Sequence, residues 1–201
     1  MSRIKKMRLP VCNFDIESNM LCPNCQERLD KGEITDFDIE FSRWILEKEK
    51  EFETLNDLHL LRAISVSKYL ILVVKKRQSI ILTNNEKLME ELREEYGEVL
   101  IFEGTPKLRS VVRTLIAPAV EVGVNSLYLP TGGKESIVML RDSDKSRIKF
   151  APKELRIIVS QIMNESVLFE YQGDRTKEEE KKGDEFDERM KELAQRRRRV
   201  R

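Results

Sequence analysis

The sequence predicts an α+β fold, in which a small N-terminal cysteine knuckle and a long helix precede two α/β units and a charged C-terminal tail. Three observations indicate this order. All three cysteines lie within residues 1–32, which are rich in turn-forming residues. An amphipathic pattern with helical spacing follows at 33–57. The order strand, strand, helix, strand then occurs twice, at 58–117 and 118–172, so an internal duplication is the simplest explanation.

The predicted long helix has a clear start signal. Thr35 is a suitable N-cap, and Asp36 and Asp38 stand in the first turn, where the helix dipole favours anions. Apolar residues recur near helical spacing as far as Leu55, so we expect the helix to fray near Asn56.

The first α/β unit is predicted from a continuously apolar run and a capped helix. Residues 69–74 are all apolar, as in a central strand, and they follow a weaker strand pattern at 58–67. Residues 79–82 are expected to form a short apolar turn. The next helix is predicted over 86–96, ending at Gly97, and a strand follows at 98–103.

The second α/β unit repeats this pattern after a helix over 106–116. Strands are predicted at 120–129 and 136–140, with a turn between them. A helix opened by Pro152 carries an apolar stripe at helical spacing, and a strand at 167–171 closes the unit.

Composition and charge limit the possible functions. Charged residues make up 36% of the 201 residues, but the net charge is only +1, so binding to a polyanion must depend on local patches. Residues 173–201 form a charged tail with few apolar residues and a basic end; we expect it to be disordered or a solvated helix. No apolar run approaches the roughly 20 residues that span a bilayer, and no apolar signal core follows the basic N-terminus. We therefore expect a cytoplasmic protein with no membrane partner.

The three cysteines are the strongest candidate for a metal site. Nine residues separate Cys12 from Cys22, and Cys22 and Cys25 form a C-x-x-C, which is typical of a zinc knuckle. A fourth ligand would have to come from Asp15, which is near in sequence, or from His59, which lies in a predicted strand. Reduced structural thiols, or a site that has lost its metal, are the alternatives. Redox chemistry is less favoured, because no strand is predicted before the C-x-x-C and no helix on it.

The sequence offers no constellation for catalysis. His59 is the only histidine, so a Ser/His/Asp set would have to use a residue in a strand-like run. No pair of carboxylates stands out from the general excess of glutamate. We therefore predict a protein that is not an enzyme and has no small-molecule substrate.

The junction between the two α/β units resembles a known family. Residues 98–122 read EVLIFEGTPKLRSVVRTLIAPAVEV, which is similar to the junction of the tandem KH domains in NusA-type transcription factors. In that family a strand, an acidic turn and a helix lead into a segment like Ala117-Pro118-Ala119. Over residues 10–172 the chain looks like archaeal NusA-related proteins that carry three cysteines before the KH pair. The resemblance implies two KH-like units and a role in transcription.

The chain departs from the KH pattern at the loops that would hold RNA. A KH unit clamps the nucleic-acid backbone with a G-x-x-G loop between two helices. In the first unit that loop falls at 83–86, which lacks glycine and places Glu86 where phosphate should lie; in the second it falls near 148–152, which also lacks glycine. The units are therefore degenerate. The expected RNA contacts are polar or cationic and are Lys75, Lys76, Arg77, Thr83, Asn84, Asn85, Lys87, Lys145, Arg147, Lys149, Arg196, Arg197, Arg198 and Arg199.

Two functions follow as hypotheses. The first is a non-catalytic, RNA-binding adaptor in transcription or translation, whose partner would be rRNA or a nascent transcript on a ribosomal subunit or RNA polymerase. The alternative is a protein-interaction scaffold, or a structural, ribosome-associated component, whose KH-like units have lost the RNA clamp.

Overall fold

The computed structural model describes residues 6–128 and 133–173. These residues form seven α-helices and two three-stranded sheets, as the predicted α+β class requires. They divide into two compact units: the first comprises residues 6–108 and 161–163, and the second comprises 109–160 and 164–173. Most of the predicted tail, with its arginines at 196–199, and the turn at 129–132 lie outside the described residues.

The cysteine segment is helical, where the sequence predicted turns. Helix α1 spans Asn13–Ser18, and helix α2 spans Pro23–Asp30. Proline at the first position suits α2, because its fixed φ matches the helix and its missing N–H would have no helical partner there. The segment buries a small apolar cluster of its own, formed by Val11, Ile16, Cys25 and Ile34.

Helix α3 spans Asp36–Lys48 and is shorter than the sequence predicted. Its start is as expected: the Thr35 hydroxyl accepts from the Asp38 N–H, and the Asp38 carboxylate accepts from the Thr35 N–H at 2.8 Å. Its end differs, because a 3-10 helix at Glu53–Asp57 replaces the last predicted turns. The break buries Leu55 completely in the core of the first unit, so tertiary packing overrides the helical pattern.

The first sheet contains strands β1 (Leu60–Val66), β2 (Tyr69–Val74) and β3 (Glu98–Glu103) in that order. β1 pairs antiparallel with β2, and β2 pairs parallel with β3. β2 is buried at all six positions, as its continuous apolar run predicted.

Two helices link β2 to β3. The predicted apolar turn is helix α4 (Ser79–Thr83), and α5 (Glu86–Tyr96) has the bounds that the sequence predicted. A parallel pair of strands needs such a crossover. Gly97 ends α5 with φ 88°, a left-handed conformation that favours glycine.

The second unit repeats the topology of the first. Helix α6 (Leu108–Ile116) leads to strands β4 (Gly123–Tyr128) and β5 (Lys134–Leu140), which pair antiparallel. Helix α7 (Pro152–Met163) then leads to β6 (Ser166–Tyr171), parallel to β5. A short 3-10 helix at Asp142–Asp144 precedes α7. No helix in the described part of the chain is long and apolar enough to cross a membrane.

Candidate metal centre and cationic surfaces

Four side chains of the cysteine segment converge on one point. The sulfur atoms of Cys12, Cys22 and Cys25 and a carboxylate oxygen of Asp15 all lie within 4.8 Å of one another. The sulfurs of Cys12 and Cys25 are 3.5 Å apart. All three cysteines are free thiols, because a disulfide would hold its sulfurs at about 2.05 Å. These four residues can hold a metal ion.

The two short helices bring the four ligands together. Cys12 is the N-cap of α1, and Cys22 is the N-cap of α2, so each precedes the first turn of a helix. Asp15 and Cys25 then follow within those first turns, each three residues after an N-cap cysteine. Each helix therefore contributes one side chain from its cap and one from its first turn.

The Asp15 carboxylate has the environment of a metal ligand. Its side chain is 2% exposed, and neither oxygen has a hydrogen bond of regular geometry within the described structure. A buried carboxylate without partners is costly, and a cation at this point would remove that cost. The neighbouring Cys25 thiol lowers the pKa of Asp15, against the opposing effect of burial, so the group is an anion facing three thiols.

Cys25 is the most enclosed of the three thiols. It is 1% exposed, and burial, together with the Asp15 carboxylate, raises its pKa to about 12. In the protein without metal it is therefore a thiol, and a metal ion would have to displace its proton, because the thiolate is the ligand form.

The geometry of the group fits a tetrahedral ion. Four ligands at about 2.3 Å from a central zinc stand roughly 3.8 Å from one another, and a limit of 4.8 Å accommodates that spacing with small movements. Three sulfurs with one carboxylate oxygen suit a borderline-soft ion and do not suit magnesium or calcium, which prefer oxygen alone.

The structure separates the two candidates for the fourth ligand. Asp15 belongs to the group and His59 does not; His59 instead forms a parallel β-bridge with Arg8. The prediction that no helix starts at the C-x-x-C was wrong, since α2 starts directly after Cys22. A helix N-terminus stabilises a thiolate, but the third cysteine and Asp15 complete a set of four ligands that a redox C-x-x-C does not need.

The residues at 83–86 join helices α4 and α5, although the sequence predicted a turn where α4 forms. Thr83 ends α4, Asn84 and Asn85 connect the helices, and Glu86 starts α5. Neither asparagine has the left-handed backbone that a glycine would supply, because their φ angles are −76° and −99°. The Asn85 amide donates to the Thr54 hydroxyl at 2.8 Å, so it is already engaged, and Lys87 is exposed on the first turn of α5.

The predicted cations of the first unit separate into two places. Lys75 and Arg77 line a cleft together with Arg8 and His59. The side chain of Lys76 lies instead against Gly104. Sequence reasoning missed Arg8 and its neighbour Lys6, although both belong to a basic N-terminal run whose alternation with apolar Met7 and Leu9 is a strand signal.

In the second unit, Lys145 and Arg147 each have an acidic partner. Lys145 lies 3.0 Å from the Asp142 carboxylate and stacks over the Tyr171 ring at 4.4 Å. Arg147 lies 3.2 Å from Asp144. The third predicted cation, Lys149, lies 5.6 Å from the ring centroid of its neighbour Phe150. Lys145 and Lys149 line a second cavity of about 440 Å³, and Arg147 does not.

Comparison with known proteins adds little to this description. No protein-family model matches the chain, and no curated protein matches it. A solved structure described as the crystal structure of APE1850 has 19% sequence identity and a TM-score of 0.47, and the match covers 62% of this chain and 96% of that chain. A similarity of this size supports no inference about function. Any inference about function must therefore come from the residues of this chain.

Proposed function

We propose that this protein is a non-catalytic, cytoplasmic RNA-binding adaptor, similar in role to NusA-type transcription factors, whose N-terminal module is held by a zinc ion. The observation that carries the proposal is the repetition of one topology. Each unit has a helix, an antiparallel strand pair, a helical crossover (two α-helices in the first unit, one in the second) and a third strand parallel to the second. Tandem α/β units of this size, with a short loop before a helix, are a common design for binding single-stranded RNA.

The proposed zinc would have a structural role. Cys12, Cys22, Cys25 and Asp15 supply four ligands and leave no open position for a substrate, which is the arrangement of structural sites. The apolar cluster beside them has only four buried members, one of which is the ligand Cys25 itself. A cluster of that size cannot order two short helices alone, so an ion is needed as a staple.

The RNA partner is expected to be contacted through phosphate groups. Neither α4–α5 nor the stretch before α7 carries a G-x-x-G loop, so close approach of the RNA backbone to main-chain amides is not available there. Lysine and arginine side chains remain, and they bind phosphates without reading bases. The RNA would be positioned by the protein and its sequence read elsewhere in the machine.

Copurification from native cells tests this proposal. The tagged full-length chain should bring down ribosomal or polymerase subunits together with RNA, and nuclease treatment before capture should release most of that material. A chain that recovers neither RNA nor an RNA-bound machine would overturn the proposal.

The second candidate is a protein scaffold whose units have lost contact with RNA. It is favoured by the second unit, where two predicted RNA-binding cations are paired with carboxylates. On β4 of that unit, Leu127 and Tyr128 are exposed, which suits a protein partner. In the same copurification, a partner that remains bound after nuclease treatment would favour this candidate.

A further inference from the structure

A cationic cleft of about 890 Å³ lies in the first unit, away from the α4–α5 loop. Three segments that are distant in sequence form it: residues 6–8, 56–59 and 75–81. Among the described residues of its lining, Asp57 is the one acidic residue, whereas the basic residues are Lys6, Arg8, His59, Lys75 and Arg77.

Backbone hydrogen bonds fix the segments that carry these cations. The Arg8 N–H donates to the Leu58 carbonyl, and the Arg8 carbonyl accepts from the Leu60 N–H, both at 2.9 Å. On the other side of the same segment, the Lys75 N–H donates to the His59 carbonyl at 2.9 Å. Arg8, His59 and Lys75 therefore stand on neighbouring, paired backbones, and their spacing is set before any ligand arrives.

The side chain of Gln78 links two of the segments that form the cleft. Its amide oxygen accepts from the His59 N–H at 2.7 Å, and its amide nitrogen donates to the Asp57 carbonyl at 2.9 Å. Beside it, the Arg77 N–H donates to the Glu103 carboxylate at 3.0 Å, which holds Arg77 at a φ of 63°. Such an uncommon conformation persists only where the surroundings enforce it, and here it places a cation on the wall of the cleft.

The positive charge in the cleft is not neutralised from within. Arg8, Lys75 and Arg77 form no ion pair with any residue of the described ranges. Burial, then the charges of Arg8 and Lys75, lower the pKa of His59. The basic residues of the lining outnumber its acidic residue Asp57, and this excess of positive charge favours an anion placed among them.

We propose that this cleft binds phosphate groups of single-stranded RNA and is the main RNA-contacting surface of the first unit, in place of the α4–α5 loop. The inference rests on the proposed function for its choice of RNA as the source of phosphate. Several cations lining one cleft suit the repeated negative charge of a nucleic-acid backbone. Among the described residues no Phe, Tyr or Trp side chain lines the cleft, so we expect contacts with the nucleic-acid backbone to dominate over base stacking.

The lining favours RNA over an acidic protein. Protein interfaces depend on large apolar anchors that enter accessible apolar pockets. The apolar side chains here are Met7 and Leu58, which are 2% and 1% exposed, and the half-buried Ile81. The floor therefore offers little apolar surface, while the rim offers charge.

Binding of a labelled oligouridylate of about 12 nucleotides to the full-length chain tests the proposal. The test variant combines Arg8→Gln, Lys75→Gln and Arg77→Gln, which keeps every backbone hydrogen bond of the cleft. The control combines Arg43→Gln, Lys50→Gln and Arg93→Gln, three exposed cations of the same unit outside the cleft, and removes the same charge. Thermal unfolding of both variants checks that they are folded.

The test variant should bind at least about tenfold more weakly at roughly 50 mM salt, and the slope of log K against log salt should fall by about 2, since each phosphate contact to a single strand contributes about 0.7. The control should change little. If the wild type binds RNA and the two variants lose equal affinity, or neither loses any, the cleft is not the RNA-binding surface. The proposed function would still stand.

The single histidine supplies a second readout. Bound phosphate should raise the pKa of His59, measured from its imidazole NMR signals, and the test variant should not show this rise. If the wild type binds no RNA, the proposed function fails, and inorganic phosphate and poly-glutamate then probe the cleft itself. A His59 response to phosphate that the test variant lacks would retain a phosphate site. A response to poly-glutamate alone would assign the cleft to an acidic protein, and no response would overturn it.

Discussion

The two units share one topology but hold their cations in opposite ways. In the first unit Lys75 and Arg77 line a cleft and form no ion pair within the described ranges, whereas in the second Lys145 and Arg147 each lie against a carboxylate three positions earlier in the chain. The sheet order does not set this difference, which comes from where aspartates stand in the loop before a helix. A repeated fold thus presents cations in a cleft in one copy and pairs cations with nearby aspartates in the other.

Removal of metal should give the largest difference in stability between the two units. Chelation should lower the stability of the first unit by about 4 kcal/mol, the linkage expected for metal at roughly 1,000 times its Kd, and should leave the second unit unchanged. Elemental analysis should find about one zinc per chain. Fluorescence of Trp44, the only tryptophan and a residue of α3, reports on the first unit.

The variant Cys25→Ser is the control for this experiment. It should unfold at lower temperature than the wild type, and a chelator should have no further effect on it. A wild-type protein that contains no metal and unfolds at the same temperature with and without chelator would contradict the metal centre.

Three Gly→Ala substitutions compare how well the two units tolerate an added Cβ atom. At Gly97 an added Cβ would overlap the Lys68 carbonyl oxygen, and φ is 88°, so we expect a loss of about 3 kcal/mol. Gly32 has φ 70° but open space, and should cost about 1 kcal/mol. Gly123, in β4, has open space and no positive φ, and should be neutral or gain about 0.5 kcal/mol. Urea unfolding measures the change in the free energy of unfolding for all three variants. A different order of these changes would show that the backbone around the glycines relaxes.

The two helix caps should differ in their contribution to stability. In the first unit, buried Asp38 caps α3 and also accepts from the Ala63 N–H of β1 at 2.6 Å. Asp38→Ala should cost about 2 kcal/mol, since it removes the cap and leaves a buried amide unpaired. In the second unit, Glu154 accepts from the Ala151 N–H at the start of α7, and Glu154→Ala should cost about 0.5 kcal/mol. Equal costs in thermal unfolding would show that the contact with β1 adds nothing.

Acid should affect the first unit through Glu103, with the smallest expected effect. The Ser79 hydroxyl, then the Arg77 and Ser79 N–H groups, lower the pKa of Glu103 to about 2. Because the folded pKa lies below the ordinary 4.5, this stabilisation is complete above about pH 4.5 and is lost as the pH falls towards 2. Glu103→Gln should flatten the decline of stability across that range. An identical acid profile would show that the contacts to Glu103 also form when it is protonated.

Local patterns predicted most of the fold, and contacts between distant segments account for the rest. The bounds of β2, α5 and β3 follow from runs, caps and the glycine at 97. The 3-10 turn after α3 could not be predicted, since Leu55 fits a helix equally well and only the core decides otherwise.

The candidate site was predicted to a similar degree. The cysteine spacing indicated a metal site, but spacing alone could not choose Asp15 over His59, because the choice depends on how two short helices meet. The sequence indicated some of the cations of the basic cleft but not all of them. Lys75 and Arg77 stood in a visible run, whereas Arg8 joins them only through pairing across about 50 residues with the segment before β1.

The contacts that hold β1 also protect the protein from self-association. An outer strand with unpaired amides is a template on which a second chain can add a strand. Beside β1, the Arg8 segment occupies the Leu58 carbonyl and the Leu60 N–H, and the Asp38 carboxylate occupies the N–H of Ala63. The first sheet is thus closed along part of its outer strand by a main-chain segment and by a charge. β4, an outer strand of the second sheet, exposes Leu127 and Tyr128 at its end, so we expect it to pair with another chain more readily than β1.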